Sequence, residues 1–238
     1  MPDGGMSRRE LLALAGWGTA AALLGLSFAS CAESQVETET PPMDGPEALR
    51  RLRDGNARFT RGRVNDFHED RDWRMQLLTA QHPFAIILGC SDSRVPPEMV
   101  FDQGFGDLFT IRVAGNVIAE DVVGSIEYAA AHLHSPLLVV LGHEGCGAVT
   151  AALEAKAGKK PEDESIQNLV ELIEPGIRDV DSTLAPQDQL KRAVEANVRW
   201  SLRQLNESPH APPALKENRV LLTGAVYELE SGEVHWLA

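Results

Sequence analysis

The sequence predicts an α/β domain whose central sheet is mostly parallel, is flanked by helices, and ends in an antiparallel hairpin at its C-terminal edge. Two observations indicate this fold class. Short, continuous apolar runs alternate with segments of helical periodicity, which is the pattern of a parallel sheet with helices on its faces. Near the end of the chain, two further apolar runs flank Ser231-Gly232, a turn signal between antiparallel strands. With 238 residues and 43% hydrophobic content, the chain can bury a full core as one domain.

The strands are predicted from the apolar runs. Residues 84–89 and 137–141 are almost entirely apolar, which predicts strands that are buried on both faces. A third predicted strand covers 108–113, and the closing hairpin joins 218–227 to 233–237.

Helices are predicted between and after these strands. The first begins at Pro46, because proline favours the first turn of a helix. Others are predicted over 123–133, from just after Gly147, and over 163–177 and 187–206. In the last of these, apolar residues at helical spacing predict a face that packs on the core: Leu190, Val194, Val198, Leu202 and Leu205.

Residues 1–31 are predicted to be an export signal. Arg8 and Arg9 precede a moderately hydrophobic run, rich in glycine and alanine, that ends at Cys31, and this arrangement resembles a twin-arginine export signal. The alternative is a membrane-spanning helix, for which the run is long enough, although its small residues weaken that helix. The signal predicts a location in the periplasm or cell envelope, with membrane contact only through the signal or a lipid anchor.

Cys31 is a candidate for lipid modification. The small residues Ala29 and Ser30 precede it, as in a lipoprotein signal, but Phe28 stands where an aliphatic residue is usual. Ordinary cleavage after Ala32 is the alternative. Residues 32–45 are rich in Glu, Thr and Pro and have no apolar period, which predicts a flexible linker. The folded domain is therefore predicted to cover 46–238.

The net charge of −13 argues against nucleic acid or an anionic membrane surface as a partner, because both require a positive protein face. The three cysteines are Cys31, Cys90 and Cys146. An odd number in an exported protein does not suggest a disulfide framework, and metal binding becomes the competing explanation.

Cys90, His143 and Cys146 are candidate metal ligands. Cys90 and His143 each come at or just after the end of a predicted strand. Because ligands collect at the carboxyl ends of the strands in open α/β sheets, we expect these two side chains to lie close together. Cys146 follows His143 by three residues and can turn back to the same point. Two thiolates and an imidazole suit zinc, and a catalytic zinc keeps a fourth position that can open.

Asp92 and Arg94 follow Cys90 at alternate positions. Asp92 is a candidate for the fourth position on the metal. The guanidinium of Arg94 can instead hold this carboxylate bidentately, which admits water that ionises near neutral pH on zinc and supplies hydroxide. Gly147 precedes a helix, so its N–H is a candidate for binding an anion. Each residue alone has a common structural explanation, but together they favour a catalytic site.

The stretch Cys90-Ser-Asp92-Ser-Arg94, followed by His143-Glu-Gly-Cys146-Gly, resembles the Cys-x-Asp-x-Arg and His-x-x-Cys motifs of the β-class carbonic anhydrases. The similarity covers about residues 46–238 and includes the segments 95–98, 101–109, 112–116, 125–128 and 224–227.

The resemblance implies reversible hydration of carbon dioxide to bicarbonate and a proton by a zinc-bound hydroxide. It implies one Zn²⁺ per chain on the three ligands named above, with Asp92 and Arg94 as a gating and orienting pair. It also implies a homodimer or larger homo-oligomer with active sites at the subunit interface. Gln103 falls near the family's substrate-contacting glutamine, and Tyr128 matches a tyrosine of the pocket that usually reaches across the dimer.

One position departs from part of the family. The subgroup with a regulatory bicarbonate site carries tryptophan three residues before the first zinc cysteine, where this chain has Ile87. Arg112, another element of that site, is present but also occurs in members that lack it. We therefore expect an incomplete bicarbonate site and an open metal at neutral pH, with Asp92 paired to Arg94.

Two alternatives share these motifs. A hydrolase of carbon disulfide or carbonyl sulfide on the same scaffold would carry identical zinc ligands. A non-catalytic protein would hold a structural zinc or a Cys90–Cys146 disulfide. The Asp92–Arg94 pair counts against the second alternative, because a structural zinc has a closed ligand set and no use for a gate.

Overall fold

The computed structural model describes residues 43–65, 68–159, 161, 163–207, 212–217 and 219–237. The predicted export signal, Cys31 and the predicted linker as far as residue 42 lie outside the described residues. The first helix, α1, spans Gly45–Thr60 and so begins one residue before the predicted start. The side chain of Asp44 caps it by accepting a hydrogen bond of 2.8 Å from the backbone N–H of Glu47.

Five strands form one sheet in the order β2-β1-β3-β4-β5. The strands are β1 (Ala85–Gly89), β2 (Leu108–Arg112), β3 (Leu137–His143), β4 (Leu221–Tyr227) and β5 (Val234–Leu237). β1 pairs in parallel with both β2 and β3, and β3 pairs in parallel with β4. β5 is antiparallel to β4. The predicted fold class, including the closing hairpin, is confirmed.

β3 is longer than the strand predicted over 137–141. It continues through Gly142 to His143 because β4 pairs with it residue by residue, as far as His143 opposite Tyr227. His143 is therefore the last residue of a strand and is held by the sheet. Every residue of β1 and β3 is buried, as the continuous apolar runs predict.

The remaining helices are α2 (Arg71–Gln76), α3 (Pro97–Val100), α4 (Glu120–Ala131), α5 (Gly147–Lys156), α6 (Glu164–Ile177), α7 (Pro186–Glu207) and α8 (Pro213–Lys216), with a 3₁₀ turn over Ala114–Asn116. The long helices agree with the prediction, apart from α4, which begins three residues earlier. The sequence does not predict α2, α3 or α8, because such short helices carry no repeated apolar period. In the described part of the chain, no helix combines the length and the apolar character needed to cross a membrane.

The core has two layers because side chains alternate between the two faces of the sheet. On one face, Ile87 and Val139 pack in a cluster with Leu52 of α1. On the other face, Leu88 packs in a cluster with Ile126 of α4 and further residues of α7. Helices on both faces are what a parallel sheet requires.

A third apolar cluster lies where the strands end. It is built by α5, α6 and α7, and it includes the two cysteines Cys90 and Cys146 together with Val149, Ile173 and Val194. The apolar stripe of α7 joins this cluster and the second one, which confirms its predicted role in core packing. The fold therefore surrounds both cysteines with packed side chains.

Candidate metal centre

The sheet brings Cys90 and His143 together. In the parallel pairing of β1 with β3, Gly89 lies opposite Leu141, so Cys90 follows the end of one strand and His143 ends its neighbour. Cys146 is the N-cap residue of α5 and completes the group. The ligand atoms of the three side chains all lie within 4.8 Å of one another, and all three residues are buried.

The ring of His143 is oriented for metal binding. Its Nδ1 lies 2.9 Å from the backbone carbonyl of Glu144. A carbonyl only accepts hydrogen bonds, so Nδ1 carries the proton, and the lone pair is left on Nε2. Nε2 is buried and has no hydrogen-bond partner among the described residues. A buried acceptor without a partner costs free energy, and a metal ion between Nε2 and the two sulfurs would remove that cost.

The two sulfurs lie 4.0 Å apart, and both thiols are free, so the structure has no Cys90–Cys146 disulfide. The hydrogen bond with Cys146 is the main cause that lowers the pKa of the Cys90 thiol, and the backbone N–H groups of Gly115 and Asp92 lower it further. The same contact with Cys90, together with burial, raises the pKa of Cys146. Without a cation the pair thus favours one thiolate, at Cys90, because two adjacent thiolates would repel each other.

Asp92 and Arg94 form the predicted pair. Arg94 Nε donates to Asp92 Oδ1 at 2.9 Å, and Arg94 Nη2 donates to Oδ2 at 2.8 Å. The backbone N–H of Arg94 adds a third bond, of 3.0 Å, to Oδ1. These bonds from Arg94 lower the pKa of the Asp92 carboxyl group. Asp92 Oδ2 lies 3.9 Å from His143 Nε2, so the carboxylate borders the ligand cluster while Arg94 holds it.

Arg112 stabilises the loop that carries these residues. Its Nε donates to the carbonyl of Cys90 at 3.0 Å, and its Nη2 donates to the carbonyl of Asp92 at 2.6 Å. From the sequence, Arg112 is expected only as an element of a regulatory site, and its contact with this loop is not predicted. Its position at the end of β2, beside β1, is the signal that indicates the contact.

Two of the predicted substrate residues, Gln103 and Tyr128, make their described contacts outside the ligand cluster. Gln103 is buried; its Oε1 accepts from Arg51 Nε at 3.0 Å, and its Nε2 donates to the carbonyl of Phe101 at 2.7 Å. Tyr128 is half-exposed on α4, with its ring centroid 5.5 Å from that of His132. Among the described hydrogen bonds, neither side chain bonds to a metal-ligand candidate, so their predicted roles remain predictions.

The N-terminus of α5 is open to solvent, whereas Ile87 is buried and the large cavity lies elsewhere. Gly147 is the first residue of α5, and a Cβ atom built there would meet nothing within 4 Å, so the N-terminus of α5 is open beside the buried Cys146. Ile87 is buried in the α1-side core cluster. A separate cavity of about 770 Å³ opens beside Gln103 and is lined by apolar residues such as Met99 and Phe105.

The fold and this cluster define an α/β protein with a buried Cys–His–Cys group that could hold a metal ion. Residues 85–234 match the family model described as carbonic anhydrase. The chain is 38% identical over 189 residues to carbonic anhydrase 2 of Mycobacterium tuberculosis, a match that covers 78% of this chain and 89% of that protein. It is 39% identical over 191 residues to the carbonic anhydrase of Mycolicibacterium smegmatis, covering 79% of this chain and 90% of that protein.

Solved structures agree with these relatives. The β-carbonic anhydrase CcaA superposes with a TM-score of 0.64 at 29% identity and covers 80% of this chain and 91% of its own. The Coccomyxa β-carbonic anhydrase in complex with acetazolamide has a TM-score of 0.61 at 27% identity, covering 68% of this chain and 75% of its own. The chain belongs to the β-carbonic anhydrase family.

The ligand set can be tested by metal content. We expect Cys90→Ser and His143→Ala to lose bound zinc and to unfold at lower temperature, because the two remaining ligands cannot close the site. Metal analysis of the purified proteins and thermal denaturation measure both effects. His132→Ala, on the partly exposed end of α4, is the matched control and should keep its zinc. Stoichiometric zinc in either ligand variant would remove that residue from the set.

Proposed function

We propose that the protein catalyses the reversible hydration of carbon dioxide to bicarbonate and a proton, with one zinc ion held by Cys90, His143 and Cys146. The observation that carries this proposal is the buried Cys–His–Cys cluster next to a bidentate Asp92–Arg94 pair, in a chain of the carbonic anhydrase family. The three side chains supply two sulfurs and one nitrogen.

The donor set fits zinc. Two thiolates and one imidazole are typical zinc ligands, and three protein ligands are the usual number at a catalytic site. A zinc site requires the His143 tautomer that has its proton on Nδ1, and the unpartnered Nε2 then offers its lone pair to the metal. When bound, zinc supplies a Lewis acid that activates water at neutral pH.

Arg94 decides where the carboxylate of Asp92 lies. While the guanidinium holds both oxygens, Asp92 stays ionised and cannot also serve well as a ligand. Its Oδ2 borders the cluster and can accept a hydrogen bond from a water or substrate hydroxyl there. The pair thus keeps the fourth position accessible and orients the group that enters it.

The open N-terminus of α5 suits the anionic product. The backbone N–H of Gly147 lies at the positive end of a helix of ten residues, which favours a bound anion. The guanidinium of Arg94 adds a full positive charge near Cys146. Bicarbonate can therefore bind in a chain whose net charge is −13.

The alternatives are weakened in different ways. The 4.0 Å between the two sulfurs and their free state weigh against a disulfide, and the Asp92–Arg94 pair weighs against a structural zinc. A carbon disulfide or carbonyl sulfide hydrolase would use the same ligands, and no described feature favours it. Hydration assays with carbon dioxide beside hydrolysis assays with both sulfur compounds separate the two activities.

The gate is tested at Arg94. We expect Arg94→Ala to lower carbon dioxide hydration about 100-fold or more while zinc stays near one per chain, because Asp92 becomes free to approach the metal. Arg94→Lys should fall between, since lysine keeps the charge but not the bidentate geometry. Stopped-flow hydration assays and metal analysis measure these outcomes.

The matched control for the gate is Arg50→Ala, which breaks an exposed pair with Glu47 on α1 and should leave activity unchanged. Full activity in Arg94→Ala would remove the gate from the mechanism. A crystal structure of the unmodified protein with Asp92 bound to zinc at neutral pH would contradict the open state.

The protein is further proposed to be a homodimer or a larger homo-oligomer. β2 is an edge strand whose apolar residues are only partly buried, and Met99, Phe105 and Tyr128 are exposed to 64%, 53% and 48%. An exposed edge with apolar side chains beside it favours association. We expect sedimentation equilibrium at micromolar concentration to give a mass of at least two chains. The mass of a single chain would contradict the proposal.

Export through a twin-arginine signal is proposed from the sequence alone. Since that route carries folded proteins, zinc could be inserted before the cysteines meet an oxidising compartment. We expect Arg8→Lys with Arg9→Lys to leave precursor in the cytoplasm, measured by fractionation; the control is Arg61→Lys with Arg63→Lys, which alters exposed residues of the folded domain. Normal export of the signal variant would indicate another route. The mass of the mature N-terminus of the exported protein tests lipidation, and an unmodified start at Glu33 would exclude it at Cys31.

A further inference from the structure

The 3₁₀ turn after β2 contacts a candidate metal ligand through its backbone. The N–H of Gly115 donates to the sulfur of Cys90 at 3.4 Å. Gly115 has φ +70°, and Asn116 has φ +45°, the left-handed region that is uncommon outside glycine and in which asparagine is enriched among the other residues. A Cβ atom at Gly115 would lie 2.8 Å from Cδ1 of Ile173. The turn is therefore tightly enclosed, and its conformation must be maintained by other contacts.

Two buried polar side chains of α7 supply those contacts. Asn197 Nδ2 donates to the carbonyl of Gly115 at 2.8 Å, and Ser201 Oγ donates to the carbonyl of Asn116 at 3.1 Å. Both residues are 1% exposed. They are four positions apart, so they lie on one face of the helix, and both donate to consecutive carbonyls of the same turn.

α7 can make these contacts because it lies unusually close to the sheet. A Cβ atom at Gly142 of β3 would lie 2.6 Å from Cγ2 of Val198, and one at Gly224 of β4 would lie 2.8 Å from Cγ1 of the same residue. Two glycines therefore make room for Val198, which directly follows Asn197. This packing fixes the distance between α7 and the carboxyl end of β3, where His143 lies.

We propose that Asn197 and Ser201 are positioning residues that aim the Gly115 N–H at the sulfur of Cys90 and so tune this ligand. The inference rests on the proposed metal centre. A carbonyl oxygen only accepts hydrogen bonds, so the side-chain amide of Asn197 must point its NH₂ group, and not its oxygen, toward Gly115. A hydrogen bond to a thiolate withdraws negative charge from the sulfur. The sulfur then donates less electron density to a bound metal, and the metal is a stronger Lewis acid.

The test replaces zinc with Co²⁺ and follows the absorption band in which thiolate charge transfers to cobalt. We expect Asn197→Ala to move this band to longer wavelength, because a sulfur without its N–H bond holds its electrons less tightly. Ser201→Ala should move it in the same direction by less. Cobalt content should stay near one per chain, and carbon dioxide hydration should fall about tenfold in Asn197→Ala, the lower end of the range for contacts outside the ligands, because Asn197 acts through Gly115.

The matched control is Asn206→Ala, the same change at an exposed position of the same helix, which should leave the band and the activity unchanged. Thermal denaturation of each protein separates tuning from folding. A folded Asn197→Ala protein with a lower melting temperature but the unmodified band would overturn the inference and make the contact merely structural.

Three further outcomes are decisive. If Asn197→Ala does not fold, Ser201→Ala carries the test, and an unshifted band in that variant would overturn the inference. If the unmodified protein binds cobalt without a thiolate band, the proposed metal centre fails and this inference fails with it. A thiolate band that is present in the unmodified protein and unchanged in both variants refutes the inference alone.

Discussion

The parallel pairing of β1 with β3 determines where the reactive side chains lie. The register sets Gly89 opposite Leu141, and this alone brings a thiol and an imidazole from distant parts of the sequence to one edge of the sheet. Both strands are buried on both faces, and a shift of one residue would turn every side chain to the opposite face. The two core layers therefore hold the register, and the register holds two of the three ligands. The third, Cys146, depends on the sheet as well, because α5 begins directly after the turn that follows β3.

Contacts to backbone carbonyls and N–H groups do the rest of the positioning. Arg112 holds two carbonyls of the loop after β1, and the carbonyl of Glu144 orients the ring of His143. Asn197 bonds to the turn that reaches Cys90. Loops that leave parallel strands have carbonyl and N–H groups without sheet partners, and these must be satisfied when they are buried. In this protein the groups that satisfy them also restrict the metal-ligand candidates, so stability and site geometry have the same source.

The sequence predicted the sheet, the long helices and the three clustered ligand candidates because each leaves a local pattern. Continuous apolar runs indicate β1 and β3, and a thiol or an imidazole at the end of such a run indicates a site. The role of Asn197 leaves no such pattern, since a polar residue in an amphipathic helix is usually exposed, and only the close packing of α7 reveals its partner. The extension of β3 to His143 depends on pairing with β4, which is a tertiary effect. Gln103 and Tyr128 came from resemblance alone, and within the described chain they bond or pack elsewhere.

The ion pair of Asp92 and Arg94 contributes little to the stability of the fold but has a fixed orientation. The side chain of Arg94 is 54% exposed and that of Asp92 is 18% exposed, and ion pairs in contact with water contribute little to stability. Judged by stability, the pair is as ordinary as any Asp-x-Arg on a protein surface. Its orientation is nevertheless fixed, because Arg94 gives Asp92 three hydrogen bonds, one of them from the backbone. A carboxylate that is weakly stabilised but firmly oriented, 3.9 Å from the free nitrogen of His143, can exchange its partner at small cost. That property suits a gate, whereas a deeply buried ion pair would resist opening.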